Sequence, residues 1–68
     1  MNFAKNLRMF RKQKKISQMM LADSLGVSQR TVSHYENGTS EPSLQTLCKL
    51  ADIFDITTDE LLGYKKII

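Results

Sequence analysis

The sequence predicts an all-α fold of five short helices, and three observations carry that reading. Apolar residues recur at spacings of three and four, and no stretch shows the strict alternation of a half-buried strand. Ser17, Ser28, Ser43 and Thr57 each stand where a hydroxyl can accept a bond from a free first-turn amide. Gly26, Gly38 and Gly63 follow apolar-periodic stretches, where a left-handed residue ends a helix.

The first helix, near 2–13, rests on the spacing of Phe3, Leu7 and Phe10. The second, 17–25, opens at Ser17 and carries Leu21, Ala22 and Leu25; the third, 28–36, opens at Ser28. The fourth, 43–54, follows Pro42 and bears Leu44, Leu47, Leu50, Ala51 and Phe54, with Asp55 standing where glycine is the usual choice. The fifth, 57–63, opens at Thr57, where Glu60 completes a capping box and Asp59 adds favourable negative charge. Three starts also have an apolar residue before the cap and another four after it: Ile16 with Leu21, Val27 with Val32, and Ile56 with Leu61. Such staples set the angle at which the chain enters a helix.

At 68 residues the chain reads as one domain, 1–68, with 64–68 as a short tail. A domain of this size buries only roughly 60% of its unfolded surface, so its core is close to the lower limit for folding unaided. The lone Cys48 excludes an internal disulfide and reads as a small core or boundary residue. One Cys and one His do not make a four-ligand zinc site, and no metal or other cofactor is expected. The acidic group Asp52, Asp55, Asp59 and Glu60 lacks the spacing of a calcium loop, and helix capping accounts for it better. No apolar run approaches the length of a membrane span, and Lys5, Arg8, Arg11 and Lys12 interrupt any signal-peptide core. A cytoplasmic chain with no membrane partner is the expectation.

Charge is distributed unevenly. Residues 1–38 hold Lys5, Arg8, Arg11, Lys12, Lys14, Lys15 and Arg30 against only Asp23 and Glu36. Residues 39–68 hold Lys49, Lys65 and Lys66 against Glu41, Asp52, Asp55, Asp59 and Glu60. One positive pole is what a polyanion-facing surface needs; ordinary solvated lysines are the alternative.

A helix of nine residues is about 13 Å long and does not hold in water alone. The second and third helices, joined through Gly26-Val27-Ser28, must therefore cross steeply over a shared core of Leu21, Leu25, Val27, Val32 and Tyr35. At 100° per residue, Val32 and Tyr35 then point inward, Gln29, Arg30 and Ser33 point outward, and His34 lies on the flank. That outward group is rich in hydrogen-bonding side chains and carries a single charge, which suits base edges in a major groove. Plain solvent exposure is the bland alternative. Gln18, at the first position of the second helix, could join the open backbone amides in holding a phosphate.

The segment "SQMMLADSLGVSQRTVSHYENG", followed by "EPSLQTLCKLADIFDITTDELLG", resembles the phage-repressor/Cro type of helix-turn-helix, the XRE family. The match runs over about residues 3–63, with the helix-turn-helix at about 17–36. The resemblance implies a compact five-helix, repressor-like domain with 28–36 as recognition helix. By position it implies base contacts from Gln29, Arg30 and His34, assisted by Ser28 or Ser33. It implies phosphate contacts from Gln18 and the loop around Asn37, a set extended here to Ser17 and Thr39. Arg11 and Glu36 fall on the family's Arg–Glu pair. Three departures stand out: Thr39, Ser40 and Glu41 occupy positions where the family often has a basic residue; Met19 and Met20 replace charged ones; and the tail 64–68 has no strong counterpart.

The expected function is sequence-specific recognition of double-stranded DNA by a repressor-type regulator. It would bind a palindromic operator as a homodimer through Leu62, Tyr64, Ile67 and Ile68. A protein-interaction module of the same fold, an antitoxin or adaptor contacting partners through Met19 and Met20, is the rival. An enzyme is the poorest reading, since the sequence offers no triad, no carboxylate pair, no phosphate-cradling loop and no evident small-molecule substrate site.

Overall fold

The computed structural model describes residues 2–64. Five helices follow one another: α1 (Phe3–Gln13), α2 (Gln18–Leu25), α3 (Gln29–Asn37), α4 (Leu44–Phe54) and α5 (Thr58–Leu62). The all-α expectation holds, with no strand among the described residues.

Each cap assigned from the sequence is formed. The hydroxyls of Ser17, Ser28, Ser43 and Thr57 accept the backbone N–H three residues on, from Met20, Thr31, Thr46 and Glu60. Glu60 returns the bond to the Thr57 N–H at 3.1 Å, closing the capping box. Helix α1 starts differently, for Asn2 makes no side-chain cap. Its anchor is tertiary: Asn2 N–H donates to the Leu62 carbonyl at 3.2 Å, and Asn6 Nδ2 to the Leu61 carbonyl at 3.2 Å. Open carbonyls at the end of α5 are thereby satisfied by the first turn of α1. Gly63 has φ +70°, which side chains rarely adopt, and a Cβ there would stand 2.8 Å from Asn6 Nδ2 and displace the amide from its bond to Leu61.

The five helix ends share one pattern. After α2, Val27 N–H bonds back to Ala22 O at 3.0 Å and Gly26 N–H to Asp23 O at 3.3 Å. The same crossed pair closes α1, α3, α4 and α5, the Schellman arrangement that turns a chain sharply out of a helix. Glycine supplies the left-handed residue three times, but Lys15 (φ 60°) and Asp55 (φ 54°) supply it for α1 and α4. The sequence points to Asp55 in that role, whereas Lys15 carries no such signal.

Leu7, Leu21, Val32, Leu50 and Leu61 are fully buried, one or more from every helix, and Ala22, Leu25 and Tyr35 complete the centre. The staple residues Ile16, Val27 and Ile56 pack against this cluster from its edge. Phe10 stacks on Phe54 at 6.0 Å, and Phe3 meets Tyr35 edge-on at 6.4 Å. Helix α3 is held by α2 on one side and α1 on another, while α1 also contacts α5. Its remaining side is left outward.

Two expectations on α4 are corrected. Leu44 belongs to the apolar spacing yet is 82% exposed, because it opens the helix beyond the edge of the core. Cys48 is exposed, not a core or boundary residue. It shares a face with Gln45 and Asp52, both exposed, while Leu50 and Ala51 point inward.

The left-handed backbone at Lys15 gives a stability prediction. A side chain there costs about 1–2 kcal/mol, and glycine returns part of that gain by loosening the unfolded chain. Lys15→Gly is expected to raise stability by about 0.5–1 kcal/mol, measured as a higher urea midpoint with an unchanged slope.

Candidate nucleic-acid interface

Helix α3 owes its position to three buried side chains, Val32, Tyr35 and Glu36. With those turned inward, Gln29, Arg30 and His34 are exposed and Ser33 is half-buried. The structure thus brings four of the five residues expected at bases together on one face, within an arc of roughly 140° at 100° per residue. Ser28 stands at the head of this face and is occupied as the cap, accepting from Thr31 N at 3.1 Å and sharing a hydrogen with Thr31 Oγ1 at 3.0 Å. Asn37 Nδ2 donates to Ser33 Oγ at 3.4 Å, which leaves the Ser33 hydroxyl hydrogen free to point outward.

A carboxylate in the inner half of α3 fixes the orientation of the helix. Arg11 Nε donates to Glu36 Oε2 at 2.6 Å and Arg11 Nη2 to Glu36 Oε1 at 3.1 Å, a two-point grip across α1 and α3. The side chains are 11% and 2% exposed. The third nitrogen, Nη1, donates to the Ile16 carbonyl at 3.0 Å in the α1–α2 connection. Gln18 Nε2 adds a further bond to Glu36 Oε1 at 3.2 Å. One carboxylate therefore collects α1, the start of α2 and the last turns of α3. Burial by itself pushes the Glu36 carboxyl up. The bonds from Arg11 and Gln18, with the charges of Arg11 and Arg8, outweigh it and hold the group below its usual range. The bond to Glu36 holds the Arg11 guanidinium above its ordinary value against the opposing effect of burial.

The residues expected at phosphates are less uniform. Ser17 is exposed, and as a cap its oxygen accepts from Met20 N at 3.0 Å, so its own hydrogen is free to donate. Gln18 is half-buried with one amide hydrogen on Glu36, leaving the second beside the open amides that begin α2. Asn37 is exposed at the end of α3. Thr39 departs from expectation: its N–H (3.0 Å) and its hydroxyl (3.2 Å) both donate to the His34 carbonyl. It has no donor left for a phosphate in this arrangement. The bond from Gln18 to Glu36 and the Asn6 anchor were missed in the sequence, where neither residue has a hydrophobic or capping signature.

Lys5, Arg8, Lys12, Lys14, Lys15 and Arg30 are all exposed. No helix among the described residues is long and apolar enough to cross a membrane.

A helix-turn-helix family model matches residues 7–61. The chain belongs to the helix-turn-helix family. The HTH-type transcriptional regulator AnsR of Bacillus subtilis is 50% identical over 56 residues, 82% of this chain and 48% of AnsR. The chain spans about half the length of the curated relatives it matches first. A transcriptional regulator from Listeria innocua superposes with a TM-score of 0.91 at 35% identity, covering 97% of this chain and 62% of that one. The P22 c2 repressor, solved in complex with a synthetic operator, superposes at 0.84 with 30% identity, covering 90% and 92%. The curated relatives are named HTH-type transcriptional regulators and a phage transcriptional repressor, and the helix-turn-helix is of the XRE, phage-repressor type.

The depressed Glu36 carboxyl sets a pH dependence. Its stabilising contribution is complete above the unfolded glutamate value, about 4.3, and is lost as pH falls through the lower folded-state value. Unfolding free energy is therefore expected to drop as the solution is taken from neutrality into acid. In Glu36→Gln that acid-dependent loss shrinks and the neutral-pH stability falls, by urea titration at each pH.

Proposed function

We propose that this domain binds double-stranded DNA sequence-specifically and regulates transcription as a repressor-type module, with α3 entering the major groove. The carrying observation is the polar outward face of α3, Gln29, Arg30, Ser33 and His34, on a helix whose other side is clamped by the core and by Arg11–Glu36. Arg30 has the geometry for two bonds to guanine and Gln29 for two to adenine. Ser17, Gln18 and Asn37, with the amides opening α2, supply phosphate contacts that seat the helix. Similarity to a repressor solved on its operator supports this placement. Such a protein works in the compartment that holds the DNA.

One module covers only about 600–1,000 Å² of DNA-facing surface, which favours a two-fold dimer on a palindromic operator. The face we assign to it borders an open cleft of about 460 Å³ lined by Phe3, Tyr35, Pro42, Leu44, Leu47 and Leu62. Leu62 was expected at the dimer contact and lines this cleft; the exposed Leu44 stands at its lip. Gly38, which ends α3, lines it too, so a second copy seated there lies beside the end of the reading helix. Tyr64 is half-exposed, and Ile67 and Ile68 lie outside the described residues.

A second reading rests on Met19 and Met20, each 54% exposed on α2: flexible thioethers of this kind suit a protein partner. Salt separates the two. DNA binding weakens steeply as salt rises, because counterions return to the phosphates, whereas a methionine-centred protein contact barely responds.

Arg30→Ala is expected to cost roughly 1–3 kcal/mol on a selected site and to relax preference at one base pair. Competition binding on DNA selected from a random pool reads both effects. An equal loss on specific and random DNA would remove Arg30 from the base-reading set. Leu44→Glu is expected to weaken self-association in sedimentation and to lower affinity for a palindrome while leaving half-site binding unchanged.

A further inference from the structure

The bonds around His34 determine more than its place on α3. Thr39 has one hydroxyl hydrogen and two partners in reach, the first being the His34 carbonyl oxygen at 3.2 Å. The second is His34 Nδ1, 2.9 Å from the hydroxyl oxygen. A carbonyl oxygen can only accept, so both contacts are hydrogen bonds at once only when the hydroxyl donates to the carbonyl and accepts from the ring. In that arrangement Nδ1 carries the hydrogen and donates it to Thr39. In a neutral imidazole the other nitrogen, Nε2, is left as a bare acceptor, because one ring hydrogen fixes both roles.

We infer that Thr39 locks His34 in the Nδ1–H form, so that Nε2 reads the operator as a hydrogen-bond acceptor and selects a base carrying an exocyclic amino group, adenine through N6 or cytosine through N4. This rests on the proposed placement of α3 in the major groove. Those amino groups are the donors on the major-groove edges of the bases, whereas guanine N7 and O6, adenine N7 and thymine O4 are acceptors that a bare Nε2 repels. The pairing is directional: exposed His34 offers an acceptor, where Arg30 four residues earlier offers only donors. Thr39 was one of the residues expected at a phosphate. Here its two donors serve His34 instead, and it acts as a positioning residue.

The test begins with the free protein. Two-bond ¹⁵N–¹H correlations of the His34 ring, at mildly alkaline pH, are expected to show the hydrogen on Nδ1, and in Thr39→Val to show it shifted toward Nε2. A ring hydrogen on Nε2 in the unmodified protein overturns the inference, whatever the DNA result. Next, site selection from a random DNA pool with unmodified protein and His34→Ala identifies the base pair whose preference His34 sets. At that pair, removing the amino group (purine for adenine, or pyrimidin-2-one for cytosine) is expected to weaken the unmodified protein roughly 3- to 10-fold, the range of one lost hydrogen bond. The same change leaves His34→Ala unaffected, and 7-deaza substitution of the purine costs neither protein. Sensitivity to 7-deaza substitution without sensitivity to amino loss assigns Nε2 as a donor and overturns the inference while leaving DNA recognition intact. If His34→Ala alters no base preference, the inference alone fails. If no site is selected at all, it fails together with the proposed function.

Discussion

The geometry of this domain depends on a single carboxylate. Glu36 sits within α3, nearly shut off from solvent, and takes two bonds from Arg11 and one from Gln18. Arg11 at the same time holds the Ile16 carbonyl. Removing one partner of such a buried pair costs about 3–5 kcal/mol, because the other charge is left without compensation. A well-packed apolar pair could match its stability. It could not hold α1, the α1–α2 connection and the first residue of α2 at one point on α3. What the pair supplies is orientation, and orientation decides which side of α3 meets the outside.

The rest of the architecture follows from a shortage of core. Five helices of five to eleven residues share a handful of fully buried side chains, and none would persist alone. Termini therefore matter more than lengths. Four hydroxyl caps open helices and five crossed bond pairs close them, which satisfies backbone groups that a small core cannot cover. Tight ends also keep the connections short, and a short connection between α2 and α3 lets both pack on Leu21, Leu25 and Val32. The outward side of α3 then needs no apolar residue, and polar side chains can be held there at little cost to folding.

Legibility in the sequence followed the range of the interaction. Ser17, Ser28, Ser43 and Thr57 were readable because a cap and its amide are three residues apart. Val32 and Tyr35 could be turned inward, and Gln29 and Arg30 outward, from helical spacing alone. The Arg11–Glu36 pair was readable only through resemblance, since no local rule links residues 25 positions apart. Leu44 and Cys48 were misjudged because periodicity gives the direction of a side chain and not where the neighbouring helices stop. Lys15 in a left-handed conformation left no trace, being an ordinary lysine obliged by the bonds on either side of it.

By itself, then, the sequence determined the helices, four of their five starts and most of their ends, and which face of α3 is polar. Each of these is settled by contacts within one turn of backbone, where residue type acts directly. Tertiary structure alone decided how Asn6 closes α5, where Gln18 directs its amide, and that the Thr39 hydroxyl turns back onto His34. Those choices turn on distances between side chains whose own preferences are weak. Only the packed backbone brings them within a hydrogen bond of one another.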